Sequence, residues 1–405
     1  MVEFRFNFVD IFRAPRLALS AKKIWTQFRS LAAALVLYNL GVYLALVVSG
    51  ADVYRIWSSY YLFPTWALVG GEVALNAAGW VFLVLGVLAA AVAVYVGMTA
   101  VAKITVEQLR GNDFFSRREA GRFVRRHWRP VVWAPVMLGL VLALLLGAGL
   151  LVGVVGKIPW AGEVLASLGI VPLFLGALLF VFLGLVFVLS FWLTPAIVAT
   201  TGDDTFETSF ELFSTLSGQP WRLALYELLS GALTLTCGAL FAGFSFAALR
   251  VVYWVLYLPM GAKWAAVFGA AWRVMPAHFR GAAGGGCALC DWWTSWTAGG
   301  GWCGGAVLPL PWPQAIAATF VSLALLVILG IVYAYGLNVH TAAQTIIYTV
   351  LRKKKDDENL LEMYDDELEQ AMLGLSGEAV NAAPAREIKP AGEESTPPPP
   401  AADNG

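Results

Sequence analysis

The segment VPLFLGALLFVFLGLVFVLSFWLTPAIV, residues 171–198, decides the fold class, because none of its 28 residues carries a charged side chain. A helix of about 20 apolar residues crosses the hydrocarbon core of a bilayer, which is about 30 Å thick. Five further stretches have the same character, so the sequence predicts six transmembrane helices. They lie at residues 30–49, 78–102, 131–156, 171–198, 223–249 and 315–337.

The composition of the whole chain agrees with this interpretation. Of the 405 residues, 59% are hydrophobic and 13% are charged, against about 25% charged residues in a typical soluble protein. The 27 basic and 27 acidic residues balance, so net charge gives no reason to expect nucleic acid as a partner. Because the apolar runs are continuous, helices are favoured over a transmembrane barrel. The expected fold is an all-α, polytopic integral membrane protein.

The distribution of basic residues predicts the orientation in the membrane. With six spans, all but six of the 27 Lys and Arg residues fall on one side. The six others are Arg55, Lys157, Arg250, Lys263, Arg273 and Arg280. We therefore expect both termini in the cytoplasm and the chain in the plasma membrane, the inner membrane of a bacterium. A seventh span at 251–271 would break this pattern, and a re-entrant or interfacial segment fits better there.

The residues before the first span predict amphipathic helices that lie in the membrane interface. Leu17, Ile24 and Phe28 share an apolar face at helical spacing, whereas Lys22 and Lys23 belong to the polar face. The predicted organisation of the chain follows from such changes in composition. It comprises interfacial helices at 1–29, a six-helix membrane domain at 30–351 with a Trp- and Gly-rich outer segment at 250–314, a basic and then acidic cytoplasmic helix at 352–376, and a disordered tail at 377–405.

Two connections on the expected cytoplasmic side share a pattern. Ser116 and Glu119 have the spacing of a capping box, and Thr208 and Glu211 repeat it 92 residues later. Each predicted helix leads into a Trp-Arg pair and the next span. This pattern predicts three hairpins, each bounded by cytoplasmic interfacial helices.

The second of these connections carries a resemblance to known proteins. Pro195 closes a span, Asp203-Asp204 forms an acidic turn, an apolar-faced helix follows at 206–217, and Gln219-Pro220-Trp221-Arg222 opens the next span. These features resemble a loose group of bacterial multi-span families of unknown function, among them the membrane domain attached to some glycerophosphodiester phosphodiesterases. The resemblance implies a membrane module without assigned chemistry.

Ionisable residues within spans are costly, so each is a candidate for a functional contact. Glu227 lies in the fifth predicted span, where Arg222 or a neighbouring Lys or Arg is its expected partner, although a transport role for the carboxylate stays open. His340 follows the sixth span and is expected to be an interfacial polar residue. Three histidines in three separate regions cannot supply repeated haem or pigment ligands, and we expect no cofactor.

The outer segment contains Cys287, Cys290 and Cys303. A Cys-x-x-Cys pair can bind a metal or close a disulfide, and the absence of a following His excludes the attachment signature of c-type haem. We favour a structural disulfide over a metal site, because a fourth ligand for a closed thiolate site is missing.

No catalytic motif is recognisable, so we do not expect an enzyme. The leading hypothesis is a structural or accessory subunit of a larger membrane assembly, with membrane lipids and other membrane subunits as partners. Its motivation is a set of small-residue faces that allow close helix approach, formed by Gly139, Gly147, Gly149 and Gly153. The alternatives are a transporter or channel for lipids or hydrophobic molecules, on a route lined by Asn76, Glu227, Thr234 and Thr236, and a sensor or scaffold that acts through residues 356–405.

Overall fold

The computed structural model describes residues 4–65, 68, 71, 73–275, 311–357 and 359–361. The chain divides into two compact units, 1–361 and 362–405, and the second lies outside the described residues. Most of the predicted acidic helix, the predicted disordered tail and the three outer cysteines therefore also lie outside them.

Regular structure in the described ranges is helical. A 3-10 helix at Phe8–Arg13 precedes the α-helices. These are α1 (Ala14–Ala18), α2 (Ala21–Val48), α3 (Val53–Tyr60), α4 (Ala77–Leu109), α5 (Arg117–Val155), α6 (Ala161–Leu168), α7 (Ile170–Thr201), α8 (Thr205–Gly218), α9 (Pro220–Met260), α10 (Ala262–Trp272) and α11 (Trp312–Asp356).

Six helices in the described part of the chain are long and apolar enough to cross a membrane: α2, α4, α5, α7, α9 and α11. The prediction of an all-α fold with six such helices is confirmed. Several helices extend beyond their apolar runs. The 45 residues of α11 correspond to about 68 Å of helix, more than twice the thickness of a hydrocarbon core. Two spans were predicted to begin at residues 30 and 131, and these positions lie inside α2 and α5, respectively.

The region considered for a seventh span contains two helices rather than one. Helix α9 runs to Met260, and the left-handed φ of +57° at Gly261 separates it from α10. Helix α10 folds back, so that Phe268 and Ala271 pack with Tyr253 of α9 and Leu325 of α11.

Burial is concentrated at one end of the bundle, which we call the packed end. It contains the C-terminal parts of α4, α7 and α11, the N-terminal parts of α5 and α9, and helices α1 and α8. Residues 193–200 of α7 and 341–351 of α11 are buried without exception. At the opposite end, which we call the open end, residues 139–155 of α5 and 170–185 of α7 include no buried residue.

Threonine hydroxyls explain how residues 341–351 of α11 can be buried on all sides although they include polar residues. Thr341, Thr345 and Thr349 donate to the carbonyl oxygens of Leu337, Thr341 and Thr345 at 2.7–2.8 Å. A hydroxyl bonded to its own helix leaves no donor unsatisfied. The last turns of α11 therefore pack as an apolar helix would.

Helices α2 and α4 approach each other closely along their length. A Cβ added to Gly41 would lie 2.4 Å from the Cα of Gly86. Near the packed end, Ser30 Oγ donates to the carbonyl oxygen of Ala93 at 2.6 Å, and a Cβ at Gly97 would collide with the Ser30 side chain. Only residues this small permit such an approach.

The same contact corrects the interpretation of the N-terminal segment. Lys23, expected on a polar face, is fully buried, as is Gln27. Helix α2 is continuous from Ala21. Its buried face carries Ala34 and Gly41 at heptad spacing, and this face begins at Lys23. Spacing within a short window assigned this lysine to the wrong face.

One predicted capping box is confirmed and the other is wrong. The Ser116 N–H donates to Glu119 Oε2 at 2.6 Å, and the Glu119 N–H donates to Ser116 Oγ at 3.3 Å. Thr208 and Glu211, in contrast, lie inside α8, which begins after Asp204. The acidic turn starts this helix one turn earlier than the capping-box pattern predicts.

Candidate functional site at the packed end

The contact between α9 and α11 contains the candidate residue Glu227. Gln344 Nε2 donates to Glu227 Oε2 at 2.7 Å and lies 3.5 Å from Ser230 Oγ. Gln344 stands in the fully buried stretch of α11, so its amide requires a protein partner. Glu227 and Ser230 supply it from adjacent turns of α9.

Arg222 and His340 do not join this contact. Arg222, expected to pair with Glu227, is exposed and donates instead to Gln219 Oε1 at 3.2 Å. His340 is half-buried, and its ring lies edge-on to Trp192 of α7 with 6.3 Å between the centroids. The structure thus places the three candidate polar residues in three different surroundings.

The residues of the predicted transport route are also spread out. Asn76 lies at the open end, where its Oδ1 caps α4 by accepting from the Gly79 N–H at 2.7 Å. Glu227 lies at the packed end, and Thr236 donates to the Ala232 carbonyl oxygen of its own helix at 2.8 Å. Asn76 and Glu227 therefore lie at opposite ends of the bundle.

Metal ligands do not cluster in the part of the chain that the structure describes. No group of three or more His, Cys, Asp or Glu residues there could hold an ion. Cys237 is a half-buried free thiol in α9. The predicted pairings of Cys287, Cys290 and Cys303 fall on residues outside the described ranges.

An ion-pair cluster joins α8 to the end of α11. Glu211 Oε2 lies 2.5 Å from Arg352 Nη1, and Lys355 Nζ lies 4.0 Å from Glu211 Oε1. Lys355 also donates to the hydroxyl of Ser214. These contacts hold the basic residues at the end of α11 against α8.

A cleft of about 380 Å³ opens at the packed end, between the first turns of α5 and the connection from α7 to α8. Its lining includes three charged or polar residues near a bend in α5, and an acidic turn opposite them. These residues are Arg126, His127, Arg129, Pro130, Gly202, Asp203, Asp204 and Thr205.

Pro130 accounts for the bend. Proline has no N–H, and its ring clashes with the carbonyl of the residue four positions earlier, which here is Arg126. His127 accordingly departs from helical geometry, with φ −112° and ψ 23°. On the other wall, Gly202 ends α7 with a left-handed φ of +76°. The two irregularities leave the space between them open.

Opposite charges face this cleft without pairing. Among the described residues, neither Arg126 nor Arg129 lies within 4.0 Å of a carboxylate, and Asp203 and Asp204 form no ion pair with them. Asp204 precedes α8 but makes no side-chain capping bond. Burial raises the pKa of the Asp203 carboxyl, against a smaller opposing effect of the hydrogen bond with Thr201.

The His127 ring has a defined orientation in the cleft. Its Nδ1 lies 3.0 Å from the carbonyl oxygen of Phe123, and since that oxygen can only accept, Nδ1 carries the hydrogen. Nε2 lies 3.9 Å from the position of a Cβ at Gly202. The cleft was not predicted from the sequence, although Pro130 and the acidic turn Asp203-Asp204 were its available signals.

Comparison of the chain with family models, with curated proteins and with solved structures finds no match. The resemblance to multi-span bacterial families therefore stays a prediction that rests on the quoted residues.

Proposed function

We propose that this protein is a non-catalytic structural or accessory subunit of a larger membrane assembly, and that the open end of α5 packs against a transmembrane helix of another subunit. One observation carries the proposal. Gly149 and Gly153 are exposed, and a Cβ at either position would meet no atom within 4 Å.

Exposed glycines are informative in a membrane because lipid tails provide no reason to prefer them. Apolar side chains are as well solvated by lipid as by protein, so helices associate where small residues let the backbones approach. Gly149 and Gly153 are four residues apart and lie on one face of α5. The pattern is that of a small-residue dimerisation face.

The chain uses the same device for its own helix contacts. Gly41 and Gly86 meet at backbone distance between α2 and α4. On α5 itself, Gly139 lies against Phe187 of α7, with 3.2 Å between the ring and a Cβ position. The later glycines of α5, Gly147, Gly149 and Gly153, contact no other helix among the described residues.

The orientation belongs to the same proposal. The basic side chains of α5 and α11 lie at the packed end, as do Lys22 and Arg110. By the positive-inside rule, the packed end and both termini face the cytoplasm of a cell whose plasma membrane holds the protein.

The test is copurification from native membranes with Gly149→Ile/Gly153→Ile. We expect the wild-type chain to retain companion membrane proteins in mild detergent, and the double variant to lose them, because two β-branched side chains separate the helix backbones. Val154→Ile is the matched control, since it adds bulk at an exposed non-glycine position one residue away.

Two results would contradict the proposal. The first is a wild-type protein that is strictly monomeric and carries no companion. The second is a companion that the glycine variant retains as well as the control does, because the contact would then lie elsewhere.

A further inference from the structure

The cleft between α5 and the α7–α8 connection has the chemistry of a headgroup site. We propose that it binds the headgroup of one phospholipid whose phosphate is joined to a primary ammonium, as in phosphatidylethanolamine. This inference goes beyond a role as an accessory subunit and does not depend on it.

The cleft lies at the depth where headgroups are found. The apolar part of α5 begins at Val131, one residue after the bend, and α7 ends at Thr201, beside the opposite wall. Trp128 is 44% exposed and Phe206 is 72% exposed. Aromatic and basic side chains together are typical of the boundary between hydrocarbon and water, so the cleft faces the interface rather than bulk solvent.

The basic wall fits a phosphodiester. Guanidinium groups donate two parallel hydrogen bonds to phosphate oxygens, and such charge-assisted bonds are stronger than neutral ones. Arg126 and Arg129 are both exposed to the cleft and lack an acidic partner in the described residues. A bound phosphate would supply the missing negative charge.

The acidic wall fits a primary ammonium. Asp203 and Asp204 stand in the same cleft and do not neutralise the arginines at ion-pair distance. A primary ammonium offers three donors to these carboxylates. A quaternary ammonium offers none, and a glycerol headgroup brings no positive charge. The arrangement therefore favours ethanolamine over choline and glycerol headgroups.

The size of the cleft is compatible with this ligand. Its volume is about 380 Å³, well above the roughly 30 Å³ that one water molecule occupies in the liquid. The left-handed Gly202 forms part of the wall opposite α5, where a Cβ would approach His127 Nε2 to 3.9 Å. The His127 nitrogen that faces the cleft carries no hydrogen in the neutral tautomer and can accept from the ammonium.

The experiment is native mass spectrometry of the full chain in detergent, titrated separately with phosphatidylethanolamine, phosphatidylcholine and phosphatidylglycerol of identical acyl chains. We expect phosphatidylethanolamine to bind about tenfold more tightly than the other two, equivalent to about 1.4 kcal/mol. Arg126→Gln/Arg129→Gln and Asp203→Asn/Asp204→Asn should each abolish this preference. Arg118→Gln/Arg122→Gln is the matched control, because both arginines are exposed on the same helix but do not line the cleft.

A competition arm separates the lipid headgroup from a free anion. Acyl-free glycerophosphoethanolamine should displace the bound lipid, whereas inorganic phosphate at equal concentration should not. Displacement by phosphate alone would identify an anion site and overturn the proposal. So would equal binding of the three lipids, or a preference that survives in both cleft variants. Thermal unfolding of each variant verifies that it is folded, and we expect the unfolding temperature to stay close to that of the wild-type chain.

Discussion

At the scale of single residues, the hydrogen bond between Gln344 and Glu227 shows how the packed end tolerates polar side chains. The fully buried stretch of α11 leaves Gln344 no access to water, and the bond of 2.7 Å to Glu227 provides its partner. The sequence indicated that Glu227 was unusual for its position in a span. It did not identify the partner, because Gln344 is 117 residues away along the chain.

This contact yields a residue-scale prediction. Glu227→Leu should destabilise the protein by about 1–3 kcal/mol, because it removes the acceptor at 2.7 Å from a buried amide and leaves only Ser230 Oγ at 3.5 Å. Glu227→Gln should have a much smaller effect, since its side-chain oxygen can still accept from Gln344. Thermal unfolding in detergent measures both variants. Equal destabilisation by the two substitutions would show that the charge of Glu227, rather than its acceptor, matters.

At the scale of helices, α5 shows how one residue reshapes an element. Pro130 lies where two segments predicted separately, an interfacial helix and a span, meet across a bend within α5. Pro135 lies in the same helix, yet the departure from helical geometry is confined to His127. The capping box at Ser116 was predictable because its partners are three residues apart. The start of α8 was not, because Asp204 rather than Thr208 takes the N-cap position.

The bend gives an element-scale prediction. Pro130→Ala restores the missing N–H and removes the clash with the Arg126 carbonyl, so α5 should straighten. Spin labels at positions 118 and 140, attached to cysteines in a background free of other cysteines, should then move apart by a few ångströms toward the roughly 33 Å of a straight helix.

Pro135→Ala is the control for this measurement. It removes a proline of the same helix where the backbone is already helical, so the distance between the labels should not change. A distance that is the same in all three proteins would mean that Pro130 does not cause the bend.

At the scale of the whole molecule, the basic residues and the dense core share one end of the bundle. The helices that meet there are longer than a hydrocarbon core requires, and their extra turns carry the ion pairs of Arg352 and Lys355. The open end carries fewer basic residues, and its buried clusters are smaller. Under the proposed orientation, the larger part of the core lies on the cytoplasmic side.

The orientation can be tested by labelling in intact cells. In a chain whose native cysteines are replaced by alanine, Ser58→Cys at the open end should react with a membrane-impermeant maleimide. Arg118→Cys should react only after the membrane is permeabilised, because the positive-inside rule places that helix in the cytoplasm. Both positions are exposed, so the reversed pattern would contradict the proposed orientation.

The sequence by itself determined the six helices that are long and apolar enough to cross a membrane, because a hydrophobic run of sufficient length is a local property that no distant residue needs to confirm. It also determined the cap at Ser116, which depends on neighbours within one turn. The tertiary structure decided the burial of Lys23, the partner of Glu227, the pairing of Glu211 with Arg352 and the cleft between α5 and α8. Each of these depends on which helices become neighbours, and apolar helices of similar length do not specify their neighbours through composition alone.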